Sequence, residues 1–376
     1  MTRPVDDAAL LAFRVAGQGL AARSGEPLDV LRGWAVQDSP PGAGMAALLA
    51  RARDVPARWL EDALADRTVV ALYNARTATA LLPADEVAAY ATALLPDDDA
   101  GLKAIAGPAL PDRREGFAEP VATAVAGIAD ALDGVVLSRD DLHAALRRRL
   151  PAELLPWCPR CESHHARRGL LVMAALHGRL CLTGRQSRQS RQSRQPAFAR
   201  TDQWVAWAPP AGEATGAALV RRYLSAYGPS TPAHFAQWAG LGRAHARALW
   251  ARAEAELHAV GEAGWVRAED AARLAHPPAA EGIRLTPPGD PLLLGRDRER
   301  LIPDPGLRKR LWTAIATNGL VLAAGAPAGL WRARKVGKRL AVTVEPFGDL
   351  PRAPVQAEAE RLAPARGCDT AAVDYA

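Results

Sequence analysis

The sequence has few cysteines and none of the features that would place it in a membrane or outside the cell. Its 376 residues contain four cysteines, too few for the disulfide framework of a secreted protein of this length. No uncharged apolar stretch is long enough to span a bilayer, and the first residues, MTRPVDDAALLAF, lack the long apolar region of a signal peptide. These absences predict a cytoplasmic protein without a membrane segment.

Several common enzyme motifs are also missing. The sequence contains no P-loop, no glycine-rich dinucleotide fingerprint after a strand, and no G-x-S-x-G nucleophile elbow. It therefore gives no support to a P-loop nucleotidase, a dinucleotide-dependent oxidoreductase or an α/β-hydrolase.

What the chain has instead is a globular composition with an excess of positive charge. Hydrophobic residues make up 49% of the sequence, which is typical of a chain that buries a sizeable core in two or three domains. Lysine and arginine number 47 against 41 acidic residues, for a formal net charge of +6. A basic balance favours acidic partners such as nucleic acid.

The first hundred residues predict helices followed by a pair of strands. Apolar groups at helical spacing predict a helix from Asp6 to Arg23, and Leu28, Leu31 and Trp34 would line one face of a second. A third helix is predicted over PARWLEDALAD. The branched and small residues of VVALYNARTATALL favour strands. Helices followed by two strands are the order of a winged helix.

The same order recurs twice more, and the chain then changes character. A second set of helices ends in the strands GRLCLTG and AFARTDQWVAW, and a third includes RAHARALWARAEAEL, a recognition-helix candidate that carries Arg243 and Arg247. After about Pro277 the pattern indicates the strands of a small barrel or sheet. The predicted fold is α+β, with three tandem winged-helix units and a small C-terminal β-barrel. The predicted boundaries are 1–100, 101–210, 211–276 and 277–376.

A repeat of arginines connects the two strands of the second unit. Arg185, Arg188, Arg191 and Arg194 stand three residues apart in RQSRQSRQSRQ. In a polyproline-like extended loop this spacing would put all four along one edge, where guanidinium groups suit phosphate oxygens. The repeat is therefore predicted to be a DNA-contacting wing. The alternative is a low-complexity expansion that is merely exposed to solvent.

The segment CPRCESHH has half of the pattern of a zinc site. Cys158 and Cys161 have the Cys-x2-Cys spacing, and His164 or His165 could be a third ligand. A second pair of ligands is absent nearby, so Cys181 is the candidate for a distant fourth ligand. A zinc ion here would be structural, and the alternative is a turn with two free thiols. No other cofactor is predicted.

Three stretches together resemble a known family. GLWRARKVGKRLAVTVEPF, LTPPGDPLLLGRDR and RRYLSAYGPSTPAHFAQWAGL look like the AlkZ/YcaQ-type winged-helix DNA glycosylases. The resemblance covers nearly the whole chain and implies three winged helices followed by a β-barrel, which agrees with the pattern above. It also implies excision of alkylated purines, mainly N7-alkylguanines, by a monomer acting on double-stranded DNA near the nucleoid. Some members reverse antibiotic damage as self-resistance enzymes.

The family's catalytic motif, glutamine, an apolar residue, then glutamine or aspartate, corresponds here to part of GWAVQDSPPG. Matching the apolar position to Val36 puts the second motif residue on Gln37, with Asp38 beside it, and Ala35 in place of the first glutamine. By resemblance, Gln37 would hold the water and Asp38 would stabilise charge or act as a base. Without the family, Gln37 would be interpreted as a helix C-cap and Asp38 as a solvated acid at a helix end.

A second departure lies in LYNARTATALL, where the family often has an Arg-Gly-Thr-like turn followed by histidine. Only Arg76 matches, and Ala80 stands at the histidine position. The two departures predict an altered substrate range or lower activity. They also keep open a non-catalytic alternative, a winged-helix regulator or lesion-binding protein. The predicted DNA-binding residues beyond the arginine repeat are Arg76, Arg243, Arg247, Arg332, Arg334, Lys335, Lys338 and Arg339.

Overall fold

The fold consists of α-helices and mainly antiparallel strands, so the α+β class is confirmed. A computed structural model describes residues 6–23, 25–188, 191–209, 214–313 and 317–376, without the side chains of 185–188, 191–195 and 214. Within these residues, no helix is both long and apolar enough to cross a bilayer. The α-helices are α1 (Asp7–Gly17), α2 (Pro27–Gly33), α3 (Ala43–Arg51), α4 (Trp59–Ala65), α5 (Val87–Ala93), α6 (Asp99–Ala106), α7 (Ala118–Ala131), α8 (Arg139–Arg147), α9 (Arg168–Leu176), α10 (Thr201–Trp204), α11 (Ala214–Tyr227), α12 (Pro232–Ala239), α13 (Arg243–Ala251), α14 (Ala271–Ala275), α15 (Arg298–Leu301), α16 (Pro305–Leu311) and α17 (Arg352–Leu362).

The strands are β1 (Val36–Gln37), β2 (Val69–Tyr73), β3 (Thr79–Pro83), β4 (Leu137–Ser138), β5 (Trp157–Cys158), β6 (Ser163–His164), β7 (Cys181–Arg188), β8 (Arg191–Ala199), β9 (Leu257–Ala259), β10 (Trp265–Arg267), β11 (Ile283–Thr286), β12 (Gly319–Ala323), β13 (Ala326–Val336), β14 (Arg339–Pro346) and β15 (Thr370–Tyr375). By its contacts the chain divides into two compact units. The first comprises Met1–Leu60, Val220–His234 and Ala253–Ala376, and the second comprises Glu61–Leu219 and Phe235–Arg252.

Several helix boundaries differ from the sequence prediction. The second predicted helix ends at Gly33, so Trp34 is its extended C-cap and not part of its face. Helix α3 was not predicted at all, because every one of its residues is buried and its sequence AGMAALLAR has no polar face to give a period. Ser138 and Asp141 in SRDDLHAALRRRL have the spacing of a capping box, which predicts a helix start at Ser138. The structure confirms this cap of α8, since the Ser138 side chain accepts a hydrogen bond from the Asp141 N–H at 3.3 Å.

The second compact unit contains an antiparallel sheet built from two hairpins. The predicted strand AFARTDQWVAW is only partly found, because β8 ends at Ala199 and Thr201–Trp204 form helix α10. The strand order of the sheet is β3-β2-β7-β8-β4, and Ala71 of β2 lies opposite Leu182 of β7. All five residues of β2 are buried, which explains the run of branched and apolar residues there. Strand β4 pairs with the far strand of the second hairpin, Leu137 opposite Phe198.

The arginine repeat does not form the extended loop that the sequence suggested. Strand β7 continues to Arg188 and β8 begins at Arg191, with Ser187 opposite Arg194 and Arg188 opposite Arg191. The repeat is thus strand over residues 185–188 and 191–195. Residues 189–190 and the four arginine side chains lie outside the described part of the structure. The polyproline-like loop is wrong because backbone pairing between the two strands extends into the repeat.

The first unit contains an open five-stranded sheet where a barrel was expected. Its order is β11-β12-β13-β14-β15, with β15 parallel to β14, and within the described residues its edge strands do not pair with each other. Helix α17 packs against both edge strands, β11 and β15. The helix occupies the side on which the two edges would have to meet, so the closed barrel is not found.

A strained residue sits in the turn between β2 and β3. Thr77 has a φ of +65°, in the left-handed region that favours glycine. Asn74 holds the turn, because its Oδ1 accepts hydrogen bonds from the N–H groups of Arg76 at 3.0 Å and Ala78 at 3.2 Å. This is the turn in which the resembled family has glycine.

Replacing Thr77 with glycine should therefore stabilise the protein. We expect a gain of about 0.5–1 kcal/mol, the difference between the roughly 1–2 kcal/mol cost of a left-handed L-residue and the roughly 0.5–1 kcal/mol entropy cost of glycine. Urea unfolding of the whole chain measures it. The matched control is Thr79→Gly in β3, which should destabilise instead. A lower midpoint for Thr77→Gly would contradict the strain.

Candidate active site

The motif segment leaves helix α2 in extended conformation. The N–H of Trp34 donates to the Val30 carbonyl at 3.1 Å and ends the helix, so Gln37 is not the C-cap that its sequence context alone suggested. Val36 is fully buried. Since side chains alternate along an extended backbone, Ala35 and Gln37 share the opposite, partly exposed face. The two positions that match the resembled family's motif thus lie on the same face of the segment.

A hydrogen bond to the backbone two residues further along the chain orients the Gln37 amide. Its Nε2 donates to the Ser39 carbonyl at 3.0 Å. Because a carbonyl can only accept, this bond identifies the end of the amide that carries the NH2 group. Within the described residues, no protein donor bonds to the other end, Oε1. The amide carbonyl is the group that this arrangement offers to a water or a substrate.

Asp38 lies at the beginning of a helix, where its carboxylate is held by backbone donors. Its Oδ1 accepts hydrogen bonds from the N–H groups of Gly42 at 2.7 Å and Gly44 at 2.9 Å, at the start of α3. This position suits a negative charge because it faces the positive end of the helix dipole. Arg366 is also close: burial lowers the pKa of its guanidinium, and the Asp38 carboxylate acts in the opposite direction.

A turn far along the sequence packs against the motif. Gly289 has a φ of +72°, and a Cβ there would lie 2.6 Å from the Ser39 carbonyl oxygen and 3.2 Å from Nε2 of Gln37. Only glycine permits this approach. The turn is closed by the N–H of Asp290, which donates to the Pro287 carbonyl at 3.0 Å.

A buried ion pair fixes that turn to helix α3. The side chains of Arg51 and Asp290 have no exposed surface, and two N–H···O bonds of 2.7 and 2.8 Å join them. Nε of Arg51 donates to the Gln18 carbonyl at 2.9 Å, and Oδ1 of Asp290 also accepts from the Leu292 N–H at 2.9 Å. The pair therefore has the bidentate geometry and extra hydrogen bonds that a buried charge requires.

The predicted basic hairpin is present, and its cations differ in their surroundings. Arg332, Arg334 and Arg339 are exposed and form no ion pair or side-chain hydrogen bond within the described part of the chain. Nζ of Lys335 donates to the Gly367 carbonyl at 2.6 Å. Lys338 lies 3.8 Å from Asp369, with both side chains mostly exposed, which makes a weak pair.

The other predicted DNA contacts are spread over the second unit. Arg243 and Arg247 are both exposed on α13, one helical turn apart. Arg76 is half-buried in the β2–β3 turn, where its Cγ would lie 2.9 Å from a Cβ at Gly240. Ala80, at the family's histidine position, is buried in β3.

The structure brings three of the suggested metal ligands together. Cys158, Cys161 and His165 each offer a ligand atom, and these atoms lie within 4.8 Å of one another. His164 is not in the cluster, because its Nδ1 donates to the Leu155 carbonyl at 2.8 Å. Cys181 as fourth ligand is wrong: it is buried in β7, and burial raises its pKa to about 12.

Sequence reasoning missed the residues that support the motif. The sequence LLAR gives no sign that Arg51 is buried, and PPGDP predicts only a turn around Gly289 and Asp290. A useful signal was the unbroken apolar run before Arg51, since an arginine at the end of a fully buried helix needs a carboxylate partner. The partner itself could not be identified from spacing.

Comparisons with known proteins identify the family and the fold. A family model described as "DNA glycosylase AlkZ-like" matches residues 30–365. A search of the curated proteins found no match. Among solved structures, the chain is similar to the Streptomyces sahachiroi DNA glycosylase AlkZ, with a TM-score of 0.75, 23% identity and coverage of 100% of both chains. At this identity the structural likeness speaks for the fold.

Breaking the buried pair should destabilise the first unit strongly. Asp290→Asn leaves the Arg51 guanidinium buried without its charge partner, and we expect a loss of about 3 kcal/mol or more in the free energy of unfolding. Arg51→Met and the double variant complete a mutant cycle by urea unfolding. The control Asp369→Asn, at an exposed pair, should cost less than about 0.5 kcal/mol. Additive single effects would show that the pair is not coupled.

Proposed function

We propose that this chain, which belongs to the AlkZ-like family of DNA glycosylases, excises N7-alkylated guanine adducts from double-stranded DNA. As a DNA N-glycosylase it is a hydrolase of the bond between base and deoxyribose. We further propose that its substrates include bulky, antibiotic-derived adducts. Its role would be self-resistance or repair, and it would act as a monomer. The observation that carries the proposal is the placement of Gln37, oriented and partly exposed, in the family's motif.

The proposal includes three winged-helix units as the DNA-binding framework. The second winged-helix unit, predicted at 101–210, is supported by the element order α7-β4-α8-α9-β7-β8, in which β4 pairs with β8. In the third, α11 is followed by a bridge from Ser230 to Trp265, then α12, α13, β9 and β10. In this arrangement α13 is the recognition helix of the third winged-helix unit, and it carries the exposed Arg243 and Arg247.

Hydrolysis of the proposed substrate needs little catalytic assistance from the protein. Alkylation at N7 makes guanine cationic, so the base leaves readily and the sugar passes through an oxocarbenium-like state. An amide is a poor base, but it can position the attacking water and direct its carbonyl dipole at the developing positive charge. We assign this role to Oε1 of Gln37. Asp38 would add negative potential, with one oxygen already committed to the start of α3.

The grip on the DNA is assigned to exposed cations. Bulky adducts are too large for a deep pocket, so contacts to the backbone around the lesion would hold the substrate. Arg332, Arg334 and Arg339 suit this because they have no ion pair to break in the described structure. Lys335 and Lys338 would contribute less, since each already has a partner in its own chain. The arginine repeat stays a candidate wing.

A second function remains as the alternative, a winged-helix regulator or lesion-binding protein without catalysis. The observation that favours it is Ala35, where the family has a glutamine. A regulator would commonly act as a dimer on one undamaged sequence. A glycosylase should prefer damaged DNA and release free base.

Base release tests the proposal directly. Duplex DNA carrying N7-methylguanine, and separately a bulky N7-guanine adduct, is incubated with the protein, and free base is read by mass spectrometry. Gln37→Ala should lower the single-turnover rate by about 100-fold or more, because the positioned amide is lost. Binding to the same DNA should not change.

The controls separate the motif from general damage to the fold. Gln203→Ala removes an exposed glutamine whose amide bonds to Asp133 and Gly134 and should keep full activity. Ala35→Gln restores the family's pair on the same strand face and should raise release of N7-methylguanine. Release of no adduct by wild type, together with tight binding to intact DNA, would favour the regulator. Equal release by Gln37→Ala would move the role to Asp38.

The salt dependence of DNA binding tests the basic hairpin. Each lost phosphate contact should lower the slope of log K against log salt by about 1. Arg332→Ala and Arg334→Ala should each do so and weaken binding evenly across sequences. Lys335→Ala, in the same hairpin but bonded to Gly367, should have a smaller effect, and Lys309→Ala on α16 should have none. An unchanged slope for both arginine variants would remove the hairpin from the interface.

A further inference from the structure

We infer that Cys158, Cys161, His165 and His143 form a structural zinc site in the second unit. The site lies outside the proposed glycosylase chemistry, because neither Gln37 nor Asp38 belongs to it. Three of its ligands were candidates from the sequence. The fourth, on helix α8, is placed beside them only by the fold.

The two cysteines occupy a tight hairpin with the geometry of a metal-binding knuckle. Strands β5 and β6 pair, and between them the N–H of Cys161 donates to the Cys158 carbonyl at 3.2 Å. Glu162 adopts a φ of +48° to turn the chain back. The tight turn holds the two sulfur atoms within reach of one metal ion.

The spacing of the ligand atoms is close to that of a tetrahedral site. Zn–S bonds of about 2.3 Å put two thiolates about 3.8 Å apart. In the structure the ligand atoms of Cys158, Cys161 and His165 lie within 4.8 Å of one another. A bound zinc would need them to close by at most about 1 Å, which side-chain rotation can supply.

His165 is prepared for coordination through one ring nitrogen. Its Nδ1 donates to the Ala166 carbonyl at 3.0 Å. A carbonyl can only accept, so Nδ1 carries the proton and Nε2 has the free lone pair. That Nε2 is buried and has no hydrogen-bond partner within the described residues. Metal-binding histidines commonly have this arrangement, with the second nitrogen held by a carbonyl.

His143 is the candidate for the fourth position. Its ring lies 4.5 Å from that of His165, centroid to centroid, and its Nδ1 is likewise buried without a partner among the described residues. Two orphaned imidazole nitrogens beside two thiols are costly in a protein interior unless they share a ligand. Two thiolates and two imidazoles favour zinc over harder metals.

The site would stabilise a connection that has little other structure. The segment between α8 and α9 runs from residue 148 to 167, and within it Trp157 and Cys161 are exposed. Zinc would join this hairpin to α8 through His143 and to the start of α9 through His165. Four protein ligands leave no open position, so the metal would be structural.

Metal content of the whole chain, purified without a histidine tag, tests the inference. We expect stoichiometric zinc after dialysis, and replacement by Co²⁺ should give the visible bands of a tetrahedral thiolate site. Cys161→Ser, at an exposed position, should abolish both. His143→Gln should weaken zinc binding by more than the roughly 10- to 100-fold that loss of an outer-shell partner costs.

The adjacent histidine supplies the matched control. His164→Gln should keep the metal, because His164 is bonded to the Leu155 carbonyl. Failure of wild type to retain zinc or cobalt after reconstitution would overturn the site, as would a disulfide between Cys158 and Cys161 in the purified protein. Unchanged affinity in His143→Gln would overturn the fourth ligand. None of these readouts depends on base release.

Discussion

The candidate active site depends on one buried ion pair, Arg51 with Asp290. Two charges without solvent are tolerated only when each is nearly fully bonded, and here the guanidinium contacts a carboxylate and the backbone carbonyls of Gln18 and Ala47. The pair fixes the turn at Gly289 against Ser39 and Gln37. Segments about 240 residues apart in sequence thereby define the position of a single amide. A site of this kind is set by the core and not by its own short strand.

The sequence could predict the elements that have a local cause. The β2–β3 strands and the Ser138 cap follow from strand propensity and capping chemistry. It could not predict what depends on distant partners. Helix α3 has no hydrophobic period because it is buried on all sides. The arginine repeat forms strand because β7 and β8 pair with each other. The terminal sheet stays open because α17 packs along both of its edges.

The proposed metal ligands also could not all be predicted from the sequence, although three of them are close together in it. His164 and His165 are adjacent, so spacing alone favours neither, and the hairpin β5–β6 decides by directing one ring to Leu155 and the other to the thiols. Side chains alternate along an extended chain, so adjacent residues cannot both face one ion. His143 could not be chosen from spacing at all, since helix α8 places its ring beside that of His165.

Some arginines of this chain form buried ion pairs and others are exposed cations without an ion pair. Burial distinguishes the two groups. Arg51 and Arg14 are buried against Asp290 and Asp297, and such neutral pairs add nothing to the field outside. The net charge of +6 must therefore come from residues that lack a partner, such as Arg332 and Arg334. In the proposed reaction the cationic base of an N7-alkylated guanine would leave readily, so a firm hold on the phosphates would matter more than a strong catalytic base. A single oriented amide beside Ala35, with cations displayed elsewhere, is consistent with that division of work.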